Sequence, residues 1–82
     1  MKTEYQNVSD RTAALTEIWR EVLGEEDLDE TSDLLDSGGT SLHLLQVVGK
    51  IYDVLGVDVR LRDVFAHASP QSLAAFIDSS RA

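Results

Sequence analysis

The 82 residues include no cysteine, a single proline, a single tryptophan and only seven basic side chains. Without cysteine there is no disulfide and no thiolate metal site, and a reducing compartment is the natural setting. No run approaches the ~18 consecutive apolar residues of a membrane-spanning helix. The first residues, Met1 to Asn7, lack the apolar segment of a secretory signal peptide. Together these absences read as a cytoplasmic protein. The seven basic residues face fifteen acidic ones, for a formal net charge of −8. Such a field repels phosphate backbones and anionic lipid, which argues against nucleic acid and membrane partners. It favours enzymes with basic docking faces, although the same acidity also serves simply to keep a small protein in solution.

What is present is enough for one core. A hydrophobic fraction of 43% supports a packed globule rather than disorder. At this length one domain is expected, burying roughly 60% of the unfolded chain's surface. Residues 1–8 read as a flexible lead-in, 9–79 as the folded domain and 80–82 as a flexible tail.

Ser9 is placed as an N-cap and Asp10 puts negative charge in the first turn of a helix over residues 10–23. Leu15, Ile18, Trp19, Val22 and Leu23 make its apolar stripe, and Gly24 is positioned to end it. Trp19 sits within the stripe and so reads as a core anchor. Residues 25–40 form a long acidic connection with Leu28, Leu34 and Leu35 as apolar pins and one helical turn near residues 32–35. A calcium loop starting at Asp27 would need glycine where Ser32 stands and glutamate where Gly38 stands, so an EF-hand is rejected.

From Ser41 a second helix is expected, its stripe formed by Leu42, Leu45, Val48 (with Val47), Ile51, Tyr52 and Leu55, with Leu44 and Val54 off it and Gly56 closing it. Gly49 costs about 1 kcal/mol relative to alanine, and the simplest reason for it is close helix packing. Residues 57–62 alternate like a strand, but a lone strand has nothing to pair with. They read as an extended connector with Val57, Val59 and Leu61 inward. A short turn follows over residues 62–67. Ser69-Pro70 pairs a hydroxyl cap with proline at the first helical position, opening a last helix that buries Leu73, Phe76 and Ile77, with Ala74 and Ala75 permitting close approach. The expected fold is all-α: a small four-helix bundle of three main helices and one short one, with a long first loop.

The chemistry concentrates at residues 36–48. Gly38 and Gly39 allow a tight turn into the helix. Thr40 and Ser41 are both placed to cap it, leaving the other free. A phosphate ester on Ser41 would sit against unsatisfied backbone N–H groups and the positive end of the helix dipole. On physical grounds alone a plain cap is the more economical reading of Ser41. Hydrolase chemistry is disfavoured: the serine lacks the second glycine of a nucleophile elbow, and His43, two residues on, points away from it. Two histidines without cysteine make a poor zinc site.

Residues 34–45, Leu-Leu-Asp-Ser-Gly-Gly-Thr-Ser-Leu-His-Leu-Leu, resemble the core motif of the peptidyl carrier proteins (thiolation domains) of nonribosomal peptide synthesis, relatives of the acyl carrier proteins. Gly38, Gly39, Ser41 and Leu42 match the family's Gly-Gly-x-Ser-Leu turn, and the order of helices and loops extends the likeness over nearly the whole chain. The resemblance implies an acyl carrier protein-like bundle in which Ser41 receives 4′-phosphopantetheine from coenzyme A. A separate, magnesium-using phosphopantetheinyl transferase makes that attachment. The chain would then be a carrier and not an enzyme, its arm holding an aminoacyl or peptidyl thioester. An adenylation enzyme would load it, and condensation or tailoring enzymes would act on the cargo. Family precedent points to Thr40, Leu42, Leu45, Val64 and Phe65 as partner contacts, although Leu45 and Phe65 would serve equally as core. Thr40 stands where fatty-acid carriers commonly have aspartate, and the second helix, with His43 and Lys50, is poor in acid. Both departures favour the peptidyl branch, leaving polyketide or D-alanyl carriers as alternatives and a plain helical interaction domain as the non-carrier reading. Starting at Met1 without flanking linkers, the chain reads as a free-standing monomer, although an excised module given a start methionine would look the same.

Overall fold

The computed structural model describes residues 8–81, with side chains described over residues 10–80. Four helices follow in order: α1 (Val8–Leu23), α2 (Ser41–Leu55), α3 (Leu61–Ala66) and α4 (Pro70–Arg81). Helix α1 packs against both α2 and α4, while α3 leans on α2. Among the described residues there is no strand, so the alternation over residues 57–62 resolves as an extended connector into α3. The expected all-helical bundle is the observed one.

Helix α1 forms where its stripe predicts, with Leu15, Ile18 and Trp19 buried. It begins at Val8, so Ser9 lies within the helix rather than capping it, and residue 8 belongs to the fold rather than to a lead-in. The rest of the expected lead-in, residues 1–7, lies outside the described residues. The helix ends at Gly24, whose N–H donates to the Arg20 carbonyl at 2.8 Å. At the other end of the chain, the Ser69 hydroxyl accepts the Ser72 N–H at 3.2 Å with Pro70 at the first helical position, which is the cap the dipeptide predicts. Helix α4 continues to Arg81, so the backbone at residues 80–81 is helical where a flexible tail was expected. Its buried side chains are Pro70, Leu73, Ala74 and Ile77, with Phe76 half-buried and Ala75 exposed.

Helix α2 departs from its expected stripe. It buries Leu44, Val47 and Ile51, with Val48 and Leu55 half-buried against the core. Leu42, Leu45 and Tyr52, expected inside, face solvent. Both faces repeat at three and four, so periodicity alone offered two solutions related by a rotation of the helix. Packing selected the face carrying Leu44. Two smaller expectations also change. A Cβ at Gly49 would meet nothing within 4 Å, so this glycine does not serve close packing. In the connector, Val59 is buried and Val57 half-buried, but Leu61 opens α3 with its side chain largely exposed.

The core joins all four helices and the long loop: Leu28 and Leu34 from the loop pack with Leu15, Ile18, Trp19, Leu44, Val47, Ile51, Val64, Leu73 and Ile77. One polar pair ties the bundle at its far side, where the buried Arg11 of α1 is paired with Asp78 of α4. Another lies at the surface, with Lys50 of α2 donating to Glu21 of α1 at 2.7 Å. That carboxylate holds the Lys50 ammonium above its ordinary range.

Candidate functional site

The loop entering α2 is held by its own side chains. The Asp29 carboxylate accepts from the Thr31 hydroxyl at 2.6 Å and the Thr31 N–H at 2.8 Å, and the Ser32 hydroxyl accepts the Asp29 N–H at 2.9 Å. The Thr31 bonds above all, with a longer one of 3.4 Å from the Ser32 hydroxyl to the carboxylate, lower the Asp29 pKa from its ordinary value. The Asp33 carboxylate likewise accepts the N–H groups of Leu35 and Asp36 at 2.9 and 3.0 Å. The acids that suggested a cation loop are therefore turn-formers. Backbone bonds then fasten the loop to the start of α4: Leu34 N–H donates to the Ala68 carbonyl at 2.8 Å and Gln71 N–H to the Glu30 carbonyl at 2.9 Å.

The helical turn expected near residues 32–35 lies two to three residues later, over residues 34–38. It ends in a Schellman pattern: Gly39 N–H reaches the Leu34 carbonyl at 2.9 Å and Gly38 N–H the Leu35 carbonyl at 3.2 Å. The two glycines do different jobs. Gly38 has φ of 95°, open to glycine and rarely to other residues. At Gly39 a Cβ would lie 2.5 Å from the Leu34 carbonyl oxygen, so the second position is glycine for want of space. This turn fixes where Thr40 and Ser41 emerge.

Thr40 is the N-cap of α2, with extended backbone at φ −122° and ψ 179°. Its N–H donates to His43 Nδ1 at 2.9 Å, and its hydroxyl lies 3.1 Å from the same nitrogen. His43 thus takes the position that glutamate or glutamine holds in a capping box. Accepting the N–H requires Nδ1 to be unprotonated. Ser41 is consequently released from capping. It is the first residue of α2, it is exposed, and among the described residues its hydroxyl has no hydrogen-bond partner. The first turn contains no acidic side chain, and its leading N–H groups have no partner within the helix.

Around Ser41 the structure gathers apolar surface. Leu42 is 63% exposed, Leu45 56% and Phe65 63%. Thr40 is exposed as well. Val64 corrects the sequence expectation: it is wholly buried, because α3 turns this side chain into the core and Phe65 outward, so Val64 has no surface to offer a partner. A groove between the start of α2 and α3 is lined by Ser41, Leu44, Arg60, Leu61, Arg62 and Phe65. Leu61 was expected inside the connector and neither arginine was expected at the site; only the packing of α3 on α2 brings them into one groove with Ser41. Neither histidine is poised against the serine. His43 is engaged with Thr40, and His67 stacks on Phe76 with centroids 4.6 Å apart while its Nδ1 lies 3.1 Å from the Ser72 hydroxyl.

Comparison with known proteins fits this geometry. The family described as "Phosphopantetheine attachment site" matches residues 13–77. A solved structure titled "Non Ribosomal PCP domain" is 31% identical, with a TM-score of 0.73, covering 92% of this chain and 88% of that one. The chain belongs to the phosphopantetheine-attachment family, in its peptidyl carrier branch. A peptidyl carrier protein solved in complex with coenzyme A and the phosphopantetheine transferase Sfp gives a TM-score of 0.77 at 25% identity, covering 84% of this chain and 90% of the matched one. Bacitracin synthase 2 of Bacillus licheniformis is 37% identical over 65 residues, which is 79% of this carrier chain. The chain spans only 2% of that synthase's length. As a member of this family the protein bears covalent 4′-phosphopantetheine as its prosthetic group.

Proposed function

We propose that Ser41 is the attachment residue and that the chain shuttles aminoacyl or peptidyl thioesters between enzymes of nonribosomal peptide synthesis. The observation that carries this reading is the state of the Ser41 hydroxyl: exposed, unspent in capping, and set by the Gly38–Gly39 turn inside a family match that runs from residue 13 to 77. The residues present fit the group. The backbone N–H groups opening α2 and the absence of acid in its first turn favour a phosphodiester there.

The acceptor atom is Ser41 Oγ, which forms the new O–P bond as the pyrophosphate bond of coenzyme A breaks and 3′,5′-ADP departs, with the hydroxyl proton passing to the transferase. When bound, the group supplies a terminal thiol that holds the cargo as a thioester. The chain's own part is to hold the arm's root rigidly and to present a docking face. Thr40, Leu42, Leu45 and Phe65 form that face on this reading. Its partners are a phosphopantetheinyl transferase, an adenylation enzyme that loads the thiol, and condensation or tailoring enzymes. Support comes from the likeness to synthetases such as bacitracin synthase 2 and to the carrier solved in complex with Sfp. Among the described residues no helix is long and apolar enough to cross a membrane.

Intact mass after incubation with coenzyme A, magnesium and a promiscuous phosphopantetheinyl transferase tests the reading. One added phosphopantetheine, absent in Ser41→Ala, is expected. An unmodified wild-type chain beside a modified control carrier would overturn it.

A further inference from the structure

Most of the described cations are spoken for. Arg11 pairs with Asp78, Arg20 with Glu17, and Lys50 with Glu21. Arg60 and Arg62 differ. Both are exposed, and among the described residues neither has a carboxylate within ion-pair distance. Of the nearest acids in sequence, Asp58 and Asp63, neither pairs with them, and Asp63 spends an oxygen on the Arg60 backbone N–H at 3.0 Å, capping α3. These two arginines line the groove that also contains Ser41. A chain of net charge −8 therefore turns a local pair of cations toward its acceptor serine.

We infer that Arg60 and Arg62 act as positioning residues for the prosthetic arm, holding its phosphodiester at the Ser41 end of the α2–α3 groove. This rests on the reading that Ser41 carries the arm. The chemistry is complementary: a phosphodiester keeps one negative charge at neutral pH, and a guanidinium offers several N–H donors to phosphate oxygens. The groove adds an apolar wall, Leu44, Leu61 and Phe65, along which the first carbons of the arm lie. The contact orders only the root of the arm. The thiol end stays free to reach a partner's active site. The bond is weak enough to release when a partner docks, since a surface charge pair shifts a population by only about two- to fivefold.

The test uses the loaded protein. The phosphodiester gives one ³¹P signal, and its transverse relaxation reports whether the phosphorus tumbles with the fold or with a loose arm. Wild type, Arg60→Gln/Arg62→Gln and Arg60→Lys/Arg62→Lys are each loaded, verified by mass and compared at low salt. The glutamine pair is expected to lower the ³¹P relaxation rate by about twofold or more, as is raising wild type to about 1 M salt, where the screening length falls to ~3 Å. The lysine pair retains most of the effect. Equal relaxation in wild type and the glutamine pair, with loading complete in both, overturns this inference while leaving Ser41 attachment intact. Failure of the wild type to load overturns attachment and this inference together.

Discussion

Trp19 and Leu34 share one acceptor. The indole N–H of Trp19 lies 3.0 Å from the Ala68 carbonyl oxygen and the backbone N–H of Leu34 lies 2.8 Å from the same atom. One carbonyl, in the junction between α3 and α4, thereby joins α1 to the turn that presents Ser41. Trp19→Phe removes one donor while preserving most of the ring volume, and is expected to cost about 1 kcal/mol. Trp19→Ala also empties the core and is expected to cost about 3–5 kcal/mol. Urea unfolding measures both. An unchanged midpoint for the alanine variant would refute the placement.

The glycines give a paired prediction of opposite sign. At Gly39 an added Cβ collides with backbone, the Leu34 carbonyl, which cannot swing aside as a side chain end would. Gly39→Ala is therefore expected to destabilise by at least about 1 kcal/mol and to disturb the amide resonances of residues 34–41. Gly49 has open space and lies inside α2, so Gly49→Ala is expected to stabilise by about 0.5–1 kcal/mol. Equal midpoints for the two variants would contradict the geometry.

Adjacent residues of α3 separate packing from docking. Val64 is buried and Phe65 is exposed. Val64→Ala is expected to cost about 2 kcal/mol in chemical denaturation through lost burial and cavity formation. Phe65→Ala should stay within about 0.5 kcal/mol of wild type. On the docking reading it slows loading by an adenylation enzyme. A large stability loss in Phe65→Ala would place that ring in the core instead.

Acid should loosen the loop where Asp29 holds it. The Asp29 carboxyl titrates below its ordinary value because Thr31 and Ser32 hydrogen-bond its charged form, with Arg20 adding a smaller attraction. A carboxyl with a depressed folded pKa contributes stability that is complete above the unfolded value and disappears as pH falls through the folded one. The Thr31 amide resonance is expected to shift as pH drops below the ordinary carboxylate range, and the shift should vanish in Asp29→Asn. A Thr31 signal that titrates at the usual aspartate position would remove the claimed bonds.

Residue types alone settled the helical class, the caps at Ser69-Pro70, Gly24 and Gly56, the burial of Trp19, and the Gly38–Gly39–Thr40–Ser41 turn, because each depends on local backbone chemistry or on one clear stripe. They did not settle which face of α2 is inside. Leu42, Leu45 and Tyr52 repeat at helical spacing as faithfully as Leu44, Val47 and Ile51, and only packing against α1 and α3 made the second set the core. Nor did sequence show which residue caps α2: His43 reaching back to Thr40 decided it and left Ser41 free. Tertiary structure also turned Val64 inward and brought Arg60 and Arg62, which follow the far end of α2 in the chain, back to Ser41 at its start. Backbone preferences are written residue by residue, whereas a groove between two helices exists only after both have packed on a third.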